Sequence, residues 1–447
     1  MTHHHSAESG ADVEYSEQDE AMFGKISRRL LPLLIVSYVI AYLDRVNIGY
    51  AQLQMQEALG FSNEAYALGA SIFFIGYFLF EVPSNLMLEK IGARRTLLRI
   101  MFGWGLIASG MMFVTTPTMF YVLRFLLGAL EAGFFPGIIL YLTFWYPGPR
   151  RAKAIALFMT GATIASLLAG PVSGVTIKYM DGVLNHAGWQ WLFVTQGLPA
   201  TLLGVFAFFY MTDRPEQAQW LSTDEKARLR DHLEQDAHAV ATASHSSLWS
   251  LLRDPKVYTL SFIFFLQLGA IYVIAFWKPT LIRSWGVEDV VTIGWLAAIP
   301  AVVALLGMVL IGRSSDRHLE RRRHYAFCAV LGVAGMLIAA LSSGNIAMSV
   351  AGLTVANIGQ AAATPIFFST VSEYLPKKTA AGGIALISSL GNLGPAMFPV
   401  IVAWVSTKAG TSAGLYMIMA MWFACGLIMM LAIPAMRAGA SVPAPRN

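Results

Sequence analysis

The sequence predicts an all-α membrane protein: twelve transmembrane helices in two pseudo-symmetric six-helix bundles. Three observations predict it. The 447 residues are 56% hydrophobic and only 13% charged, roughly half the charge of a soluble domain, which is more apolar side chain than one globular core can hide. The apolar residues gather into twelve segments, about 30–51, 66–88, 97–115, 118–145, 152–178, 189–211, 257–282, 290–312, 324–342, 345–372, 381–406 and 412–436. Such lengths cross about 30 Å of hydrocarbon at 1.5 Å per residue. The basic residues are also lopsided. With the N-terminus in the cytoplasm, 25 of the 31 Lys and Arg fall on the inner side, four on the outer side and two within helices, which keeps both termini inside by the positive-inside rule.

Each element follows from the same physics. A backbone in lipid must satisfy its own hydrogen bonds, so the segments are helices; the ten-residue alternation of a barrel is absent. Residues 1–24 are polar and acidic and are expected to be a disordered cytoplasmic tail, in which His3, His4 and His5 read as tail composition rather than a metal tract. The segment at 30–51 is too long and starts too late for a cleaved signal peptide, and no small-residue cleavage site follows it. Residues 25–212 form the first bundle, 213–254 a cytoplasmic linker, 255–437 the second bundle and 438–447 a cytoplasmic tail. In the linker, Ser222 with Glu225 three residues later is a capping box for a short surface helix. Cys328 and Cys425 both sit in apolar segments, which argues against a disulfide framework.

An internal repeat relates the bundles. After the second segment comes Asn85-Leu86-Met87-Leu88-Glu89-Lys90-Ile91-Gly92-Ala93-Arg94-Arg95; after the eighth comes Gly312-Arg313-Ser314-Ser315-Asp316-Arg317, then Arg321-Arg322-Arg323. Each is a tight turn with an acid followed by a base and then a basic cluster. Two parallel halves of six helices are a transporter arrangement, with the site between them at the bilayer midplane.

Four charges lie where apolar residues are expected: Asp44 and Arg45 in the first segment, Arg124 and Glu131 in the fourth. A charge at this depth costs roughly 2.5–3.5 kcal/mol on insertion scales and marks an ion or substrate path. Arg124 and Glu131, seven residues apart, share a helix face but stand about 10 Å apart along the axis, too far to pair. Asp44 and Arg45 point about 100° apart and do not simply neutralise each other. Packing the first helix on the fourth, with Asp44 near Arg124 or Glu131, is the economical solution. Burial makes a carboxylate hold its proton and a nearby cation makes it release it, so Asp44, Glu131 and Arg124 are the candidate proton-coupling residues. The bland alternative is a buried structural network. Arg45 is the candidate anchor for a substrate carboxylate, since a guanidinium can hold one through two hydrogen bonds. Tyr272, Asn357 and Gln360 are polar groups inside C-half segments that can contact substrate or bond between helices. Glu81 and Glu373 lie nearer the basic turns, as gate or loop-anchoring partners.

These stretches also carry a resemblance. Over about 25–437 the chain resembles the major facilitator superfamily. The turn Glu89-Lys90-x-Gly92-x-Arg94-Arg95 is similar to its signature between helices 2 and 3, with Asn85 where glycine is usual and Glu-Lys for Asp-Arg. Tyr42-Leu43-Asp44-Arg45-Val46-Asn47-Ile48-Gly49, Gly76-Tyr77-Phe78-Leu79-Phe80-Glu81-Val82-Pro83-Ser84-Asn85, Arg124-Phe125-Leu126-Leu127-Gly128-Ala129-Leu130-Glu131-Ala132-Gly133 and Gly391-Asn392-Leu393-Gly394 resemble the anion:cation symporter branch. That branch comprises permeases for tartrate, sugar acids, phthalate and related carboxylates. The resemblance implies proton-coupled uptake of a small organic anion across a bacterial inner membrane. It implies that Tyr42, Tyr77 and Asn392 line the site; Asp316 and Arg317 already repeat the loop motif within the chain. Lys278 replaces a usual apolar residue of the branch. Ala162 stands where some sugar-acid permeases carry glutamine, and Pro365-Ile366-Phe367-Phe368 where tryptophan is found. These departures favour a compact dicarboxylate or an aromatic acid over a long polyhydroxy acid. Gly170-Pro171-Val172-Ser173-Gly174 resembles a drug–proton antiporter motif but reads as helix packing.

An enzyme is not expected, since no phosphate-binding loop and no histidine cluster at metal spacing occurs. No cofactor, metal or nucleic acid is expected; the partners are the anion, protons and the bilayer, and the chain is expected to be a monomer. Efflux or antiport of organic anions or drugs is the alternative. A non-transporting sensor lacks a soluble output domain long enough to serve it.

Overall fold

The computed structural model describes residues 15–241, 251–318, 320–342, 344–375 and 380–433. Among them are twelve helices long and apolar enough to span a bilayer. They are α1 Glu17–Leu59, α2 Asn63–Leu88, α3 Ala93–Phe113, α4 Pro117–Thr143, α5 Arg150–Tyr179 and α6 Gly188–Tyr210, then α7 Pro255–Ser284, α8 Val290–His318, α9 Arg322–Leu341, α10 Ile346–Tyr374, α11 Gly382–Ala409 and α12 Ser412–Ala432. The twelve-helix expectation holds. His3 to His5, Lys377 and Lys378 lie outside the described residues.

One boundary is corrected. Residues 17–24 are not tail but the first turns of α1. Ser16 Oγ accepts from the Asp19 amide at 3.2 Å and the Ser16 amide donates back to Asp19 Oδ2 at 3.0 Å, a reciprocal cap that fixes the helix start. Met22 and Phe23 are then buried, with Phe23 stacked on Tyr146. Their spacing was hidden among acids. The linker carries a helix, Thr223–Ala241, with the expected box: the Glu225 amide donates to Ser222 Oγ and the Ser222 amide to Glu225 Oε2. This helix rides on the first half. Glu225 pairs with Lys25 at 2.9 Å and Asp236 with Arg151 at 3.5 Å.

The halves meet where α1 packs on α7, α2 on the second part of α11, and α5 on α8. Three polar links across the halves lie at the end away from the basic turns. Arg283 Nη1 donates to the Leu53 carbonyl at 2.7 Å, Thr280 Oγ1 to Gln52 Oε1 at 3.4 Å, and Lys178 Nζ to Asp289 Oδ1 at 2.6 Å. At that same end α5 and α8 cross backbone to backbone. A Cβ placed on Gly170 would sit 2.1 Å from the Gly294 carbonyl oxygen, and one on Gly294 2.3 Å from that of Gly170. The glycine-rich stretch of α5 is therefore a packing surface, as small residues between membrane helices usually are. Among the described residues no hydrogen bond or ion pair joins the two bundles at the basic end. Among the described residues the polar ties between the halves lie at the end away from the basic turns and in the interior.

Candidate functional site

The site is built around a break in α4. Its first part ends at Glu131; Ala132 leaves helical backbone with ψ 133° and Gly133 takes φ +86°. Only glycine enters that region without strain, and a Cβ there would lie 2.4 Å from Ser84 Oγ. The helix restarts at Phe134. The interruption leaves Glu131 at a helix end in the bundle interior, fully buried. Non-helical backbone at membrane depth is tolerated where it is buried in protein or lines a cavity. The sequence reading missed this break; the signal was Ala132-Gly133 directly after a buried acid.

Glu131 finds its cation on α1. Arg45 Nη2 donates to Glu131 Oε1, and Arg45 Nη1 donates to the hydroxyl of Tyr272 on α7 at 3.2 Å. Arg45 thus ties an acid of the first half to a phenol of the second. It also lies over the rings of Tyr77, at 5.4 Å, and Phe73, at 5.6 Å, which lowers the cost of holding a cation here. Arg124, completely buried, pairs with neither acid. Its Nε donates to the Gly69 carbonyl at 3.2 Å and its Nη2 to that of Ala70 at 3.1 Å, with its guanidinium 4.9 Å from the centre of the Phe73 ring. Phe73, which sequence reasoning did not single out, lies against both guanidiniums.

Asp44 is 1% exposed. Its Oδ1 accepts from Asn47 Nδ2 at 3.1 Å, one turn along α1, and its Oδ2 has no partner. The expected approach of Asp44 to Arg124 or Glu131 makes no ion pair. The 100° step between neighbours on a helix turns Arg45, not Asp44, toward Glu131. Glu131 Oε2 and Arg45 Nε are also unpartnered. The cluster thus keeps polar atoms of both signs unpartnered in a buried setting, where each costs about 1–3 kcal/mol or more unless a ligand, water or proton meets it.

The other candidates sit as follows. Tyr77 and Tyr272 are buried against Arg45, and Tyr272 packs edge-on to Phe74 of α2 across the halves. Tyr42 is half-buried on α1. Asn392 is half-buried at an interruption of α11, which runs helical to Gly391 and again from Leu393. Asn357 is half-buried on α10, and Gln360 is buried with its Nε2 unpartnered. A neutral network that sequence reasoning missed fills the C-half. Gln267, fully buried, donates to Thr364 Oγ1 at 2.9 Å and accepts from the Tyr325 hydroxyl at 2.7 Å.

At the turns, Gly92 follows α2 and precedes α3, and the Arg94 amide donates to Asp213 Oδ1 at 2.8 Å while Arg94 Nε donates to the Phe208 carbonyl at 2.8 Å. Lys90 and Arg95 are exposed; nothing is described of the Glu89 side chain. Glu81 is half-buried on α2 and makes no ion pair with these turns. In the second half Asp316 pairs not with adjacent Arg317 but with Arg321, at 2.5 Å, which also holds Glu373 at 2.9 Å.

A family profile described as Major Facilitator Superfamily matches residues 34–290 and 260–447. The chain belongs to the Major Facilitator Superfamily. It is 42% identical over 418 residues to a candidate tartrate transporter of Agrobacterium vitis, covering 94% of each chain. It is 39% identical over 392 residues to a quinolone resistance transporter of Acinetobacter baumannii, covering 88% of this chain and 90% of that one. Its fold matches the inward open conformation of the xylose transporter XylE from E. coli, with a TM-score of 0.73, 14% identity and coverage of 94% and 98%. This superfamily member is a multi-pass membrane transporter with a small-molecule substrate.

Proposed function

We propose that this transporter couples proton entry to uptake of a compact organic carboxylate across a bacterial inner membrane, with the basic end and both termini in the cytoplasm. The observation that carries the reading is Arg45, a buried guanidinium shared between Glu131 of one half and Tyr272 of the other. A substrate carboxylate competes with Glu131 for that guanidinium. Glu131, losing its cation while buried, becomes neutral by taking a proton, because a lone buried charge costs several kcal/mol. Substrate and proton therefore load together. Asp44, with one free carboxylate oxygen, is the second proton carrier, and Arg124 biases both acids without pairing. Tyr77, Tyr272, Tyr42, Asn392, Asn357 and Gln360 supply neutral contacts to the rest of the substrate.

The relative named for tartrate transport supports a small dicarboxylate. A second reading, proton-driven export of an organic anion or drug, is favoured by the relative named for quinolone resistance. Counterflow in proteoliposomes against a panel of small acids separates substrates: the proposal expects exchange of tartrate-like or aromatic acids. Preference for six-carbon sugar acids sinks the substrate class, and exchange of cationic drugs with no acid exchanged sinks the proposal in favour of export.

A further inference from the structure

Away from the transport site, α8 and α9 leave a groove between them at the basic end. Its volume is about 410 Å³, and its lining is Leu310, Ile311 and Ser314 from α8 with Arg323, His324 and Phe327 from α9. Each helix contributes positions i, i+1 and i+4, one face of each. Both helices pack on α10.

One feature distinguishes it from ordinary lipid-facing surface: an open apolar face is joined to a cationic end. Its apolar part is open: Leu310 is 67% and Phe327 51% exposed, and Leu306 and Val330, one turn further from the basic end, are 64% and 61% exposed. An apolar track thus runs from the groove toward mid-membrane. Its other end is cationic. Arg323 is exposed at the groove wall and Arg317 is exposed one turn beyond Ser314, and among the described residues neither guanidinium enters an ion pair. Of the neighbouring cations, Arg321 is engaged by Asp316 and Glu373 and Arg322 by the Ile433 carbonyl, while Arg313, exposed beside Ser314, adds a further cation with no ion pair among the described residues. The nearby acid, Glu320, is taken up by the backbone amides of Arg323 and His324, with His324 Nδ1 3.4 Å away. His324 Nε2 lies 3.0 Å from Ser314 Oγ, which links the two walls. Basic pockets between membrane helices on the cytoplasmic side bind anionic headgroups. This groove pairs such charge with an acyl-chain track.

We propose that the α8–α9 groove is a binding site for an anionic glycerophospholipid, with an acyl chain along Leu310 and Phe327 and the phosphodiester held by Arg323 and Arg317. A free phosphate fits only the cationic end and leaves the track empty; a zwitterionic lipid fits the track but offers the arginines less net charge. The site is independent of what the protein carries. α8 also packs on α5 of the other half, so an occupant rests on one of the helices that bridges the two bundles.

The test is native mass spectrometry and thermal-shift titration of the detergent-purified full chain with phosphatidylglycerol, phosphatidylcholine and inorganic phosphate. The proposal expects one retained phosphatidylglycerol, a rise in melting temperature with that lipid alone, and roughly thirtyfold weaker retention in an Arg317→Gln/Arg323→Gln double variant. Leu310→Trp, which fills the track and leaves the cations, should also lose the lipid. Arg28→Gln, an exposed cation of the other half, should keep it, which guards against a general loss of basic charge. Equal stabilisation by phosphatidylcholine, or an equal response to inorganic phosphate, overturns the proposal. So does undiminished retention in the double variant or in Leu310→Trp.

Discussion

The interiors of the two halves differ in kind. The first holds four buried or half-buried charges, Asp44, Arg45, Arg124 and Glu131, with free polar atoms of both signs. The second holds one half-buried cation, Lys278 on α7, which enters no ion pair among the described residues, and around Gln267 a neutral network of amide and hydroxyls that satisfy one another. Charges in lipid are expensive and persist where they carry ions or substrate, whereas neutral bonds between membrane helices contribute modestly, about 0.6–2 kcal/mol each. The difference assigns switching chemistry to the first half and shape to the second, with Arg45–Tyr272 as their interior polar link.

The largest effect that sharpens this contrast is at Arg45. Arg45→Ala removes the cation and strands Glu131, so counterflow should require roughly tenfold to a hundredfold more of every carboxylate; unchanged affinity moves the anchor elsewhere. Arg45→Lys should not rescue it, since an ammonium lacks the planar fork. A smaller effect is expected from Tyr325→Phe, which leaves the Gln267 oxygen without its donor. Thermal unfolding should reveal a loss of about 1–3 kcal/mol with proton stoichiometry unchanged. A changed stoichiometry would give the second half a part in coupling and break the contrast.

Much of this was legible in the sequence. The twelve spans follow from hydropathy, the linker helix from Ser222 and Glu225, and the shared face of Arg124 and Glu131 from their spacing. Partners were not legible. Which of two adjacent residues meets Glu131 depends on the rotation of α1, and a composition that buries every face leaves rotation undetermined. Arg124 bonds to backbone carbonyls of α2, which no side-chain pattern announces. The early start of α1 was masked because Met22 and Phe23 pack on a loop and linker rather than on lipid. The break in α4 rests on the conformation of Gly133, and its signal was the place of Ala132-Gly133 directly after Glu131.

The smallest effect separates the interior from the end away from the basic turns. There Asp289 lies outside the membrane segments, and hydrogen bonds from Lys178 and then Thr292 hold its carboxyl down to about 2. A depressed acid keeps its contribution at every pH above its ordinary value of 3.8 and loses it only as pH falls toward 2. The Lys178–Asp289 pair is therefore intact from pH 5 to 8. Asp289→Asn should alter transport rate only slightly, as exposed pairs contribute little, and should leave its pH profile in place. A profile displaced by this substitution would move the pH response out of the interior.

The central claim is that an interior acid of the first half exchanges a proton as the carboxylate docks. Substrate-driven proton movement in reconstituted vesicles, followed with an internal pH dye in the parent and in Glu131→Gln, tests it most directly. The account predicts substrate-dependent acidification of the lumen by the parent, and in the variant substrate exchange without proton movement or accumulation against a gradient. Equal proton movement and equal accumulation by the two proteins would contradict it.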